Sequence, residues 1–322
     1  MVAFTCDRLV LAPMEGVLDP LMRELLTAIN PYDLCVTEFV RVVDALLPAR
    51  TFYKLAPELK QGGKTASGTP VRVQLLGQSP EWMAENAVLA AQLGSPGIDV
   101  NFGCPARHVN QSKGGASLLK EPELIYRILQ AMRRALPAEV PLSAKIRLGW
   151  ACASECEEIA DAVVQGGANE LAIHGRTKQD GYRSEAINWA HIGEIRARLP
   201  IPVTANGEIW SREDALRCQA ITGCRSLMVG RGALNIPNLG AVIRQQEAPL
   251  PWSEVLALMH DYAGREIKGD KGRYFPNRIK QWLSYLREAY PEAQTLFGQV
   301  RRLQTAPEIL LALSECRGLT PA

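Results

Sequence analysis

Histidine is scarce, at four residues, and the eight cysteines form no Cys-x-x-Cys pair. Cys152 and Cys156 are four apart and Cys218 and Cys224 six apart, but no histidine clusters with them, so no metal site is expected. Thiols scattered at 6, 35, 104, 152, 156, 218, 224 and 316 suit a reducing cytoplasm rather than a disulfide framework. No stretch reaches about 18 uninterrupted apolar residues. The start, MVAFTCDRLVLAPMEG, lacks a charged region followed by a long apolar run, so neither a signal peptide nor a membrane span is expected. The net charge is only +2, which excludes a generally basic coat and makes any nucleic-acid surface local.

What is present is alternation. β-rich runs recur at Leu9–Pro13, Leu34–Val40, Val71–Leu76, Gly97–Asn101, Leu142–Leu148, Glu170–His174, Pro202–Asn206 and Ser226–Gly230. Helical spacing fills Pro80–Leu93, Pro122–Leu136, Cys156–Gly166, Trp189–Arg198 and Arg212–Ile221. Strand–helix alternation implies right-handed crossovers and a parallel sheet, and eight units in about 240 residues match a closed (β/α)8 TIM barrel. An open doubly wound sheet is the alternative. It needs a G-x-G-x-x-G turn after an early strand, where this chain has Ala12-Pro13-Met14-Glu15-Gly16. The barrel is therefore the expected α/β fold, over residues 1–244.

Composition shifts after Asn238. Gln245–Pro251 reads as a linker, and Trp252 onward is helix-like without strand signals, so 245–322 is expected to be a small C-terminal helical domain. Between Arg265 and Arg302 lie nine basic residues (265, 268, 271, 273, 278, 280, 287, 301, 302) against four acids (266, 270, 288, 292). Tyr274, Phe275, Trp282, Tyr285 and Tyr290 interleave with them. Cations with stackable rings suit a phosphate backbone and its bases. A solvated helical cap with inward-packed aromatics fits the same composition.

Barrel active sites gather at the C-terminal strand ends, with a phosphate often held after strands seven and eight. Those two strands end in Asn206-Gly207-Glu208 and Gly230-Arg231-Gly232, where glycines open the backbone to an anion and an arginine adds donors. Glycines that merely turn the chain are the plainer explanation. Strand five carries Lys145 and Arg147 on one face, costly to bury without a partner. An ion pair or an anionic cofactor would satisfy them. Gln74 on strand three and His174 at the end of strand six add donors and acceptors. Strand four runs into Asn101-Phe102-Gly103-Cys104-Pro105, which fixes a thiol at the mouth, able to donate a proton or to act as a nucleophile.

Ala12-Pro13-Met14-Glu15-Gly16, Asn101-x-Gly103-Cys104-Pro105, Lys145-x-Arg147, His174-Gly175-Arg176-Thr177, Asn206-Gly207-Glu208 and Gly230-Arg231-Gly232, in this order, resemble the tRNA-dihydrouridine synthase family. Thr37-Glu38-Phe39-Val40-Arg41, Arg278-x-Lys280-Gln281-Trp282 and Gly232-Ala233-Leu234-Asn235-Ile236-Pro237-Asn238 are most similar to its bacterial subfamily C, whose members modify position 16 of the D-loop. Phe102 stands at a spot that varies in the family.

The resemblance implies bound FMN, NADPH as reductant, and a tRNA substrate. It implies synthesis of 5,6-dihydrouridine, with hydride passing from flavin N5 to uracil C6 and a proton from Cys104 to C5. Pro13, Met14 and Glu15 would line the flavin, with Gln74, Lys145 and His174 at its ring. Asn206, Gly207, Glu208, Gly230 and Arg231 would hold its phosphate end. Asn101 would orient the uracil, and Arg41, Tyr182, Arg278, Lys280 and Tyr285 would contact the RNA. The enzyme is expected to be a monomer without membrane contact. Three rivals share parts of the pattern: a flavin reductase of free pyrimidines, a non-redox phosphate-binding barrel with a Schiff base at Lys145, and a non-catalytic tRNA binder.

Overall fold

The computed structural model describes residues 6–111, 113–269 and 274–316. Parallel strands close a barrel in chain order: β1 (Arg8–Leu11), β2 (Leu34–Arg41), β3 (Val71–Leu76), β4 (Ile98–Asn101), β5 (Leu142–Arg147), β6 (Glu170–His174), β7 (Val203–Asn206) and β8 (Ser226–Val229). β8 returns to β1 with Arg8 opposite Ser226 and Leu11 opposite Val229. The expected eightfold barrel is what forms.

Local sequence explains the crossovers. Helix Pro80–Gln92 starts on Ser79, whose hydroxyl accepts from the Trp82 N–H, with proline in its first turn. Helix Pro122–Ala135 buries Ile125, Ile128, Leu129 and Met132, one stripe at helical spacing. Helices Pro20–Ala28 and Ala49–Leu55 were not among the expected segments.

The barrel interior is divided. Val10, Ala12, Leu34, Val36, Ala172 and Met228 form one apolar cluster. β3, β4 and β5 instead bury Arg72, Gln74, Asp99, Asn101, Ser143 and Arg147. Such groups are tolerable only when paired. Arg72 Nη1 donates to Ser143 Oγ at 3.0 Å and meets Glu170 at 3.1 Å, while Arg8 meets the same carboxylate at 2.7 Å.

The chain divides into two compact units. One holds the barrel strands, in the described residues of Met1–Pro20, Tyr32–Ile209 and Glu213–Gly230. The other comprises Leu21–Pro31, Trp210–Arg212 and the described residues of Arg231–Ala322. Within this second unit, helices Trp252–Lys268, Phe275–Leu286, Pro291–Val300 and Ala306–Glu315 pack through Met259, Tyr262, Ile279, Trp282 and Leu283. Tyr262 and Trp282 meet edge to face at 5.4 Å. Asn238 clips the segment read as a linker, donating to the Ala248 carbonyl at 2.9 Å and accepting from the Leu250 N–H at 3.0 Å. Asp270, Lys271 and Arg273, which entered the charge count, lie outside the described residues. Among the described residues no helix is long and apolar enough to cross a membrane.

Candidate active site

Register gathers the polar strand ends. Asn101 pairs with Lys145, Arg147 with His174, and His174 with Asn206, so four neighbouring strands present their last polar residues at one end of the barrel.

Cys104 follows β4 and is half-buried. One amide ties its loop to β4: Asn101 Oδ1 accepts from the N–H of Gly103 at 3.0 Å and of Cys104 at 2.8 Å. Asn101 Nδ2 donates to Gln74 Oε1 at 2.7 Å, and Gln74 Nε2 donates to Asp99 Oδ2 at 2.7 Å. Ser143 Oγ closes the chain on Asp99 Oδ1 at 2.5 Å. A carboxylate can only accept, so Asp99 sets the orientation of Gln74, which sets that of Asn101. Burial raises the pKa of Asp99, against the lowering effect of these hydrogen bonds. Gln74 is 0% exposed, with both polar ends of its amide engaged in this chain. Asp99 was not among the expected site residues. It shares a strand face with Asn101, which is the alternation that singled out Lys145 and Arg147.

Burial also raises the Cys104 thiol, with the nearby Glu15 carboxylate adding to the effect and Arg147 and Lys145 opposing it. The sulfur is therefore a protonated thiol at neutral pH. Glu15 sits 3.5 Å from His108 Nε2. Pro13 and Met14 are half-buried beside it, and the Met14 carbonyl turns the chain by accepting from Val17 and Leu18.

The two β5 cations part ways. Lys145 Nζ donates to Asn206 Oδ1 at 3.0 Å, while Asn206 Nδ2 donates to the Met228 carbonyl at 2.8 Å. Desolvation, with Arg147 adding repulsion, lowers the Lys145 pKa to about 8. Among the described residues Arg147 pairs with no carboxylate. It donates to the carbonyls of Gly103 at 2.9 Å and of Thr177 and Gly181 at 3.0 Å each, tying the loop after β4 to the loop after β6. The exposed Tyr182 ring lies 5.3 Å from its guanidinium carbon and 6.3 Å from the His174 ring.

His174 Nε2 is 3.2 Å from Arg176 Nη1. Arginine only donates, so Nε2 accepts and the proton of the neutral ring sits on Nδ1. Arg176 also pairs with Glu208 at 2.7 Å, joining the motif after β6 to that after β7. Gly207 has φ +116°, and a Cβ there would meet His174 at 2.8 Å, so backbone and packing alone account for this glycine. Gly230 differs. A Cβ there would rest 3.6 Å from Ala12 and Met14, ordinary contact, so neither backbone nor packing demands a glycine at 230.

Arg41 is exposed at the end of β2. Arg231, in the helical unit, stacks 5.0 Å over Trp210. Arg278 is 14% exposed, 4.0 Å from the buried Glu266, and bonds Gln281. Lys280 donates to the Leu303 carbonyl at 2.6 Å. Tyr285 is half-buried, whereas Phe275, Trp282 and Tyr290 are buried and Tyr274 is exposed. Three of the five interleaved aromatics thus pack inward. Among the described residues no group of three or more His, Cys, Asp or Glu is placed to hold a metal ion.

Solved structures of morphinone reductase with tetrahydroNAD (TM-score 0.52, 12% identity, 76% of this chain and 88% of that one) and of 2-naphthoyl-CoA reductase with 2-naphthoyl-CoA (TM-score 0.60, 13% identity, 76% and 52%) share the barrel. At such identities the likeness is one of fold. Sequence similarity goes further. The chain is 58% identical over 310 residues to the tRNA-dihydrouridine(16) synthase of Vibrio cholerae, covering 96% of each. It is 61% identical over 294 residues to that of Pasteurella multocida, covering 91% of this chain and 94% of the relative. It is 59% identical over 306 residues to that of Escherichia coli, covering 95% and 97%. The family model described as dihydrouridine synthase (Dus) matches residues 10–310, and with these relatives it shows that the chain belongs to the dihydrouridine synthase family.

Proposed function

We propose that this protein reduces uridine 16 in the D-loop of transfer RNA to 5,6-dihydrouridine, using bound FMN and NADPH as reductant. The observation that carries the reading is Cys104: a protonated thiol held by Asn101 at the barrel mouth, in a chain about 60% identical to relatives named for this activity.

Two features fit a phosphorylated flavin. Among the described residues the Lys145 ammonium donates to Asn206 alone while carrying three donors, so a further acceptor suits it. Gly230, a glycine that packing does not demand, would leave the backbone bare for an anion. Lys145 and His174 would address the ring, with Pro13, Met14 and Glu15 alongside, and Gln74 would serve the same site by holding Asn101. Asn206, Gly207, Gly230 and the adjacent Arg231 would hold the phosphate end. Glu208 would contribute backbone there, its carboxylate being taken by Arg176.

FMN, when bound and reduced, supplies the hydride. The protein's task is the proton. As charge develops on uracil C5 and the C4 carbonyl, a group must protonate C5, and a carboxylic acid would already be ionised at neutral pH. The Cys104 thiol, kept protonated by burial, retains the proton until C5 becomes basic enough to take it. Asn101 holds the thiol's backbone in place and would lie beside the base. Leaving the RNA stack costs a base a few kcal/mol, less in a loop than in a duplex. Contacts from Arg41 and Tyr182, and from Arg278, Lys280 and Tyr285 in the helical unit, would offset it.

The test compares turnover on tRNA with turnover on free uracil and uridine, and maps dihydrouridine in the product. Reduction at position 16 of tRNA, with little on the free bases, is expected. Preferential turnover of a free pyrimidine would make the chain a pyrimidine reductase instead.

A further inference from the structure

Two lysines share one indole at the same end of the barrel as Cys104. Lys120 Nζ lies 4.3 Å from the centre of the Trp150 ring and Lys178 Nζ lies 4.4 Å from it. The residues come from three different loops. Lys120 ends the 3₁₀ turn Gly115–Lys120 beyond Cys104, Trp150 follows β5, and Lys178 follows β6.

The platform is built. Glu155 Oε2 accepts from the Trp150 N–H at 2.5 Å, and the Gln179 N–H donates to the Trp150 carbonyl at 3.0 Å. The Lys178 N–H donates to the Gly149 carbonyl at 2.9 Å. Both backbone groups of the tryptophan are therefore fixed, and one of the lysines is fixed relative to it. The same loops are joined by Arg147, through the carbonyls of Gly103 and Thr177.

Two ammonium groups gathered on one ring repel each other, and the ring's negative face compensates only in part. Neither lysine forms an ion pair with a carboxylate among the described residues. Local Glu155, which could have neutralised them, is instead turned to the backbone N–H groups of Trp150 and Cys152. Like charge concentrated on a rigid support, without an internal counterion, is the arrangement that a phosphate completes.

We propose that Lys120, Trp150 and Lys178 form a phosphate clamp on the barrel unit that grips the backbone of the RNA substrate beside the nucleotide being reduced. The proposal rests on the tRNA reading above. The phosphates of NADPH have the same chemistry, so the test separates the two sources.

The experiment measures tRNA affinity by filter binding across a salt series, with the wild-type holoenzyme, the double variant Lys120→Ala/Lys178→Ala and the charge-keeping Lys120→Arg/Lys178→Arg. Thermal unfolding verifies that each is folded, and KM for NADPH is taken from flavin reduction without tRNA. The alanine pair is expected to bind more weakly, most of all at low salt, and to flatten the log–log salt slope by about one to two units. The arginine pair is expected to keep both affinity and slope. If wild type binds tRNA and the alanine pair matches it in affinity and slope, the clamp is refuted while the tRNA reading stands. A rise in NADPH KM with tRNA affinity unchanged assigns the lysines to the nucleotide and also overturns the proposal. If wild type fails to bind tRNA, the functional reading and the clamp fall together.

Discussion

The side-chain oxygen of Asn101 accepts the backbone N–H of Cys104 at 2.8 Å, so the position of the thiol is set by an amide that is itself set by others. Gln74 holds the Asn101 nitrogen, and Asp99 holds Gln74. Asn101→Ala frees the N–H groups of Gly103 and Cys104 and lets the loop drift. A shift of about 1 Å at a reacting group costs on the order of 100-fold in rate. Asn101→Asp keeps the acceptor for the loop but sets an oxygen against Gln74 Oε1, two acceptors without a proton between them. Both variants are expected to retain flavin and lose turnover, measured as dihydrouridine formed per bound flavin. Wild-type turnover in both would show that the loop needs no such anchor.

Cys104→Ala removes the acid and little else, because the loop is held through backbone atoms. The variant is expected to remain yellow and to lose at least about 100-fold in turnover, the usual contribution of a general acid. Visible absorption and product formation check the two halves separately. Full activity on tRNA would take the thiol out of the chemistry.

The barrel was legible because short strand-like runs alternate with segments of helical spacing, two of which, Pro80–Gln92 and Pro122–Ala135, begin on proline. Strand ends were readable for the same reason, which is how Cys104, Lys145, His174 and Asn206 came to notice. Helix Ala49–Leu55 escaped because its ARTFYKL buries Phe52 alone and shows no stripe. The partners of each site residue were also hidden. Arg147 looked like a cation in need of an anion, but it is satisfied by three carbonyls that only the folded loops bring to it. The Asp99–Gln74–Asn101 chain crosses from β4 to β3 and back, and its register is a property of the closed sheet.

Arg147 supplies the next expectation. It is 2% exposed and gives three hydrogen bonds, to Gly103, Thr177 and Gly181. Arg147→Met retains the apolar stem and strands those carbonyls. Hydrogen bonds to a charged donor contribute about 1.5–3 kcal/mol each, so a loss of at least about 3 kcal/mol in unfolding free energy is expected. Urea titration measures it. An unchanged midpoint and slope would mean that water replaces the guanidinium without cost.

Lys145 gives the pH dependence. Its pKa falls from 10.5 to about 8 in the folded protein without ligand, chiefly through desolvation. Below pH 8 the folded chain therefore carries a cation that the unfolded chain would hydrate better, and this cost is present in full. Between about 8 and 10.5 the folded lysine loses its proton while the unfolded one keeps it, so the cost is relieved as pH rises through that window. Lys145→Met removes the cation, and flavin-free protein carrying it is expected to melt higher than wild type at pH 7, with the gap closing towards pH 10. Flavin binding runs the other way. An anionic ligand needs the charged lysine, so wild-type affinity is expected to fall as pH passes about 8, while the Met variant binds weakly and changes little over the same range. Melting curves of the flavin-free protein and fluorescence titrations with FMN read the two effects. If the Met variant melts lower than wild type at pH 7, the buried ammonium is satisfied by Asn206 alone, and the case for an anion beside it weakens.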